Sequence, residues 1–403
     1  MFGGVSRSPE DSYVTAAAGT LEMLRTGTTS VIDHVYVDPD QISAYVEAIV
    51  SAYEDVGLRA GVAPGVADLP FSDSLPGYLI GDGTALPAGR TLDPLELTDQ
   101  LESFIKVYKG RHSRVVPMLG PSAPESCSDT FLSRIVDLGR RYDVGIHTHL
   151  LESKSQVLAG RHRYGRSTVA HIDDIGLLSP QTSLAHVVWV DDEDIKLISK
   201  RGSTVVHNPW SNLRCGSGLM PMTQFRAVGV DVALGADGAA SNDSQNMFEV
   251  LKLATGLQTM SGDYRDWPTA ESVWEGSLRG GTAALGLPIG RLEVGACADI
   301  VLLDLNRHVM ADRAQLVASL VFAELGDSVD SVIVNGEVAV AEGRSTMIDE
   351  VALGARARRF QRRQHSNTVE RQAEYQQWRP GLDAIEDRVD QIDVGFERRI
   401  RST

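Results

Sequence analysis

The stretch Gly145-Ile146-His147-Thr148-His149-Leu150-Leu151-Glu152 reads as a buried strand that ends in reactive side chains. Side chains alternate across a strand, so His147 and His149 share a face. His149 stands near the strand's C-terminal end, and Glu152 follows on the next loop or first helical turn. An imidazole there can ligate a divalent metal, and a carboxylate within reach can move protons to and from an activated water. One histidine at a strand end is more often a hydrogen-bonded core residue than a ligand, so the stretch has to be weighed with its neighbours. His147 lies one layer deeper and reads equally well as an interior histidine.

Outward from this stretch, short β-branched runs alternate with amphipathic segments. Strands are predicted at Thr29–Val35, Leu58–Val66, Val115–Pro121, Val144–Leu150, Ser183–Val190, Thr204–Asn208 and Val230–Gly235. Helices are predicted between them at Pro39–Val56, Pro94–Lys109, Asp129–Tyr142 and Asp191–Lys200. Such alternation predicts an α/β fold, a parallel sheet with helices outside. A long series of these units favours closure into a TIM-like (β/α) barrel. Neither G-x-G-x-x-G nor a Walker A loop is present to argue for an open nucleotide-binding sheet. Barrel enzymes hold their reacting groups at C-terminal strand ends, which is where His149 sits.

Three more strand ends carry chemistry. Leu184-Ala185-His186 delivers a second histidine. Val206-His207-Asn208-Pro209-Trp210-Ser211-Asn212 delivers a third, then a loop of amides, hydroxyls and glycines that can line a pocket. Val232-Ala233-Leu234-Gly235-Ala236-Asp237 delivers a carboxylate that is costly to bury without a metal or a charged partner. Asp237 comes too early to cap the helix expected near Ser244, for which Asn242 or Asp243 is the better cap. Separate structural explanations for histidines and a carboxylate at successive strand ends become strained.

The chain has 403 residues, 42% of them hydrophobic, enough for one large domain and a smaller one. The net charge of -16 argues against a nucleic-acid or acidic-membrane partner, which needs a positive footprint. Cys127, Cys215 and Cys297 are far apart and odd in number, so no disulfide framework is implied and a reducing, cytoplasmic location is expected. Met1–Tyr13 lacks the apolar stretch of a signal peptide, and no apolar run is long enough to span a membrane. From Pro288 the character changes: a turn and strand lead to a hairpin with an Asn335-Gly336 turn. The tail from Asp349 is helical and highly charged, with Arg356, Arg358, Arg359, Arg362 and Arg363 close together, and reads as a solvated or packing helix. The expected division is a catalytic barrel over 1–287, a β-sandwich half over 288–345 and a helical tail over 346–403.

The motifs His149-x-x-Glu152, Ala185-His186, His207-Asn208-Pro209-x-Ser211-Asn212 and Gly235-x-Asp237-Gly238, taken in order, resemble those of the amidohydrolase superfamily and its ATZ/TRZ-like aminohydrolases and chlorohydrolases. The resemblance runs from about Ser8 to Arg344 and includes Gly295-x-x-Ala298-Asp299, similar to that family's C-terminal β-sandwich half. It implies a (β/α)8 barrel. It implies one divalent metal, zinc with iron as the alternative, held in part by His149 and Asp237. Glu152 would shuttle protons, His186 would hydrogen-bond substrate or oxyanion, Asp237 would also take the water's proton, and His207, Trp210 and Asn212 would face the substrate. The family's first-strand His-x-His is expected to fall before Met1, so the chain reads as beginning after barrel strand one. The implied reaction removes an amino, substituted-amino or chloro group from a small nitrogen heterocycle, in a homodimer. Open alternatives are cyclic-amide hydrolysis, or a truncated, catalytically impaired homologue that keeps the barrel without the chemistry. The motifs of cytidine deaminases and of serine hydrolases with a nucleophile elbow are absent.

Overall fold

Leu58 to Val66 is nearly uninterrupted apolar sequence, and the strand it forms is buried along almost its whole length. That is the signature of a parallel strand covered on both faces. The computed structural model describes residues 8–81, 84–87, 89–112, 114–260, 262–307 and 313–399. The expectations for residues 1–7 and 400–403 lie outside the described residues. In chain order the first half comprises α1 (Pro9–Arg25), β1 (Ser30–Tyr36), α2 (Ile42–Val56), β2 (Arg59–Val66), α3 (Pro94–Tyr108), β3 (Val115–Pro117), β4 (Gly120–Pro121), α4 (Asp129–Tyr142), β5 (Ile146–Leu150), α5 (Lys154–Tyr164), α6 (Thr168–Ile175) and β6 (Thr182–His186). There follow α7 (Asp192–Arg201), β7 (Thr204–His207), α8 (Pro209–Arg214), α9 (Met222–Ala227), β8 (Val232–Leu234), α10 (Ala239–Asn242), α11 (Met247–Leu257) and α12 (Ala270–Leu285). The last elements are β9 (Ile300–Leu303), α13 (Leu316–Phe322), β10 (Val329–Val334), β11 (Glu337–Ala341), β12 (Arg344–Ser345) and α14 (Glu350–Gln391).

Two four-stranded parallel sheets, β1-β2-β3 with β4 also on β2, and β5-β6-β7-β8, carry the N-terminal part. They are joined by one parallel bridge between Leu119 and Ile146. The predicted strand Val115–Pro121 is therefore split. Met118 N–H still bonds to Val62 O, whereas Leu119 N–H turns to Gly145 O, so the segment changes neighbour midway. Among the described residues β1 and β8 each pair on one side only. The core lies between strands and helices, with Ile49 and Val56 of α2, Leu101 and Ile105 of α3 and Phe131, Leu132 and Ile135 of α4 fully buried. Each such side chain stabilises the fold by about 1.5–3 kcal/mol.

Local chemistry sets the element ends. Ser128 caps α4 by accepting from Phe131 N–H, and α2 stops at Gly57, whose φ of 93° a glycine adopts without strain. The strand predicted to reach Val190 ends at His186, because His186 and Val187 take φ of 70° and 44°. The helix expected near Ser244 starts at Met247, and its cap is Asn246, not Asn242 or Asp243; Asn242 closes the short α10 instead. The C-terminal strands form a separate antiparallel sheet in the order β12-β11-β10-β9, and Asn335 and Gly336 both take positive φ at the β10–β11 turn. Arg59 of β2 ties this sheet to the parallel one through a buried bidentate bridge to Asp299, with Nε at 2.7 Å.

Candidate active site

The register sets the site. β5 pairs with β6 so that His149 lies opposite Ala185 and Leu150 opposite His186, and β7 pairs with β8 so that His207 lies opposite Leu234. The C-terminal ends of β5, β6 and β8 thereby bring His149, Glu152, His186 and Asp237 together. His186 is the hub. Its Nδ1 is 2.8 Å from Asn212 Oδ1, and its Nε2 faces Glu152 Oε2 at 3.9 Å and Asp237 Oδ2 at 4.0 Å. An amide oxygen only accepts, so Nδ1 carries the proton and donates. The two carboxylates stand too far for direct hydrogen bonds. The His149 ring stacks on His186 with centroids 5.4 Å apart, and on His34 at 4.8 Å.

Each acid is held by hydroxyls. Ser217 Oγ donates to Glu152 Oε1 at 3.0 Å. Asp237 Oδ2 accepts from Ser211 and from Ser241 (2.9 Å), and Oδ1 accepts from Gly238 N–H at 2.7 Å. Burial pushes the Asp237 carboxyl up, but His186, Ser211 and the Gly238 amide outweigh it, and the group sits below its ordinary value. Asp237, at φ 64°, His186 and Val187 are non-glycine residues in the left-handed region, an arrangement that costs about 1–3 kcal/mol each and gathers at functional sites.

Burial lowers the basicity of the histidines around this hub. Burial, aided by His149 and His186, pushes His147 down to about 3, and its Nδ1 pairs with Ser183 Oγ at 2.7 Å. Burial, aided by His186, pushes His207 down to about 3 as well. Burial, then His149 and His147, holds His34 well below the ordinary imidazole value. His149 is lowered by burial and by His186, against the pull of Glu152 and Asp237.

The residues expected to face the substrate divide. Trp210 is 39% exposed. Asn212 is buried against His186, with its Nδ2 unpartnered among the described residues, and His207 is buried with neither nitrogen bonded. Sequence reasoning passed over Ser217 as the partner of Glu152. The Gly216-Ser217-Gly218 turn was visible, but nothing in its spacing ties it to a glutamate 65 residues away.

The donor chemistry suits a metal at two residues. His149 Nδ1 donates to Ser122 O at 2.8 Å, which fixes the tautomer and leaves Nε2 with its lone pair, the arrangement found in metal-bound histidines. Asp237 brings an ionised carboxylate to the same group. Among the described residues, no three His, Cys, Asp or Glu side chains are grouped to hold a metal, so this pair is a partial set.

The amidohydrolase family profile matches residues 3–339. The chain belongs to the amidohydrolase family. This amidohydrolase is 33% identical over 342 residues to a 5'-deoxyadenosine deaminase of Methanosarcina barkeri, covering 85% of this chain and 73% of the relative. It is 31% identical over 343 residues to a 5-methylthioadenosine/S-adenosylhomocysteine deaminase of Caldanaerobacter subterraneus subsp. tengcongensis, covering 84% and 73%. Among solved structures it superposes with a TM-score of 0.78 on a zinc-bound adenosine deaminase from Xanthomonas campestris, at 25% identity over 89% of this chain and 76% of the other. A zinc complex of atrazine chlorohydrolase from Arthrobacter aurescens matches at TM-score 0.78 and 25% identity, over 86% and 76%.

Proposed function

We propose that this amidohydrolase hydrolyses a carbon–nitrogen bond, releasing an amino group from a small nitrogen heterocycle, with substituted-amino or chloro groups as related leaving groups. The observation that carries the reading is His186 Nε2, at the end of β6, facing both Glu152 after β5 and Asp237 after β8 of the same sheet. Relatives named as deaminases of adenosine derivatives make aminopurine nucleosides the first substrates to test.

In this reading His149 Nε2 and Asp237 would hold one divalent ion, zinc or alternatively iron, with water or further donors completing its shell. When bound, the ion supplies Lewis acidity, enough to bring the pKa of a water to about 7. The side chains do the rest. Glu152 Oε2 takes one proton from the attacking water and gives it to the ring nitrogen, while Ser217 fixes the other carboxylate oxygen. Asp237 Oδ2 orients the water and accepts its second proton as the attacked carbon becomes a carbonyl, and that proton departs with the leaving amino group. His186 Nε2 hydrogen-bonds the reacting centre, its ring held by Asn212. Trp210 and His207 border the heterocycle. We read the parallel array as belonging to a (β/α) barrel (1–287), followed by half of a β-sandwich (288–345) and the helical tail (346–403). A homodimer and a cytoplasmic location complete the reading. Among the described residues no helix is long and apolar enough to cross a membrane.

The test is ammonia release from 5'-deoxyadenosine, adenosine and an aminotriazine, with protein supplied with zinc and with protein stripped by a chelator. Turnover of at least one of these, lost on chelation and recovered with zinc, is the expected result. No release from any of them by folded, zinc-supplied protein would contradict it.

A further inference from the structure

The C-terminal segment does more than pack. The last turns of α14 and the segment after it run past the segments that follow β5, β6 and β7, and between them they bond to all three. At the start of α5, just past β5, Ser155 Oγ donates to Glu386 Oε1 of α14 at 2.8 Å and Lys154 Nζ donates to the α14 carbonyl of Asp390 at 3.5 Å. At the β6 loop, Arg398 Nη2 donates to Val190 O at 2.6 Å, while Phe396 and the Arg399 guanidinium lie against the buried Trp189 ring at 6.1 and 5.5 Å. At the β7 loop, Leu219 N–H donates to Arg398 O at 2.6 Å.

These contacts converge on Ser217. Its carbonyl accepts from Trp189 Nε1 at 2.6 Å, its N–H donates to Asn212 O at 2.8 Å, and its hydroxyl donates to Glu152 Oε1 at 3.0 Å. The next residue, Gly218, takes φ 118°, and a Cβ there would stand 2.7 Å from Arg398 O. Only glycine lets the loop approach the tail this closely.

We propose that residues 392–399 are a strap that positions the Glu152 carboxylate by clamping Trp189 and Leu219 on either side of Ser217. This rests on the reading of Glu152 as the proton-transferring group. Ser217, Phe396 and Arg398 are positioning residues: Ser217 holds Glu152, and the tail acts on it through Trp189 and Leu219. Without the strap, Ser217 keeps its bonds to Trp189 and Asn212, but the loop on its far side loses its partner and Trp189 loses its cover. A displacement of about 1 Å at a reacting group costs about 100-fold in rate, so a small shift is enough to matter.

The experiment is a double-mutant cycle in the full chain between Phe396→Ala/Arg398→Ala and Ser217→Ala, with Ser217→Thr as the conservative control. On the best substrate from the ammonia screen, the tail variant should lose about tenfold to 100-fold in kcat with little change in KM. Ser217→Ala should lose a similar factor, and the combined variant should be no worse than Ser217→Ala alone. Ser217→Thr keeps the hydroxyl and should retain most of the activity. Independently of turnover, amide hydrogen exchange in segments 150–156 and 213–220 should rise in the folded tail variant. Unchanged exchange there, or losses that multiply across the cycle, would overturn the strap. Raised exchange together with normal turnover by Glu152→Gln would instead overturn the role given to Glu152 and leave the strap standing as a structural contact.

Discussion

At the scale of single residues, the site is a set of oriented tautomers and pinned carboxylates. Asn212 makes the point. Its sequence context marks a loop that faces a pocket, yet its side chain is buried and its Oδ1 serves His186 Nδ1. That bond directs His186 Nε2 toward the two acids. Asn212→Ala leaves a buried N–H without a partner and frees the ring to turn. The expected loss is about 1–3 kcal/mol of stability and about tenfold in kcat. Thermal denaturation and steady-state kinetics read the two separately, and a fall in Tm with kcat unchanged would make Asn212 a packing residue only. Histidine and aspartate at successive strand ends were legible in the sequence, because strand alternation dictates where they point. The serines that hold the acids were not, because a hydroxyl donor to Glu152 or Asp237 depends on how distant loops fold back.

At the scale of elements, the strand–helix alternation was readable wherever apolar periodicity was long, as in α4, whose predicted and observed ends coincide at Asp129 and Tyr142. It failed where hydrogen-bonding neighbours change, as at Met118-Leu119, and where the backbone turns left-handed, as at His186-Val187. Apolar residues continue through both breaks, so hydropathy alone cannot mark them. The short helical turn Pro124–Ser126 after β4 carries another feature hidden from sequence. Glu125 is buried there beside Thr168, 3.4 Å away, at the start of α6, and burial pushes its carboxyl up to about 7. The carboxyl's ordinary value is 4.5, so between 4.5 and about 7 the folded state holds a proton that the unfolded state has lost. Stability at this site therefore falls as pH rises through that window. Glu125→Gln removes the dependence. Its Tm advantage over the wild type should be larger at about pH 8 than at about pH 5, and an equal difference at both values would show that Glu125 stays ionised in the fold.

At the scale of the whole molecule, parts far apart in sequence meet at one end of the parallel array. Glu152, His186, Asn212, Ser217 and Asp237 come from the C-terminal ends of β5, β6, β7 and β8 and the segments that follow, and the end of α14 with the tail beyond it closes over three of those segments. The sequence predicted the parallel core, the Asn335-Gly336 hairpin and a charged terminal helix. It did not reveal that the tail reaches the loops of the site, because helical charge patterning reports which face meets water and not what the end of the chain touches. The central claim is that this amidohydrolase fold moves protons through Glu152 during hydrolysis. The most direct test is Glu152→Gln, an isosteric change that keeps Ser217 within hydrogen-bond reach while removing the titrating group. With a substrate identified by ammonia release, the variant should bind it as the wild type does, keep its Tm, and lose about 100-fold to 10,000-fold in kcat. Undiminished turnover by Glu152→Gln would contradict the account.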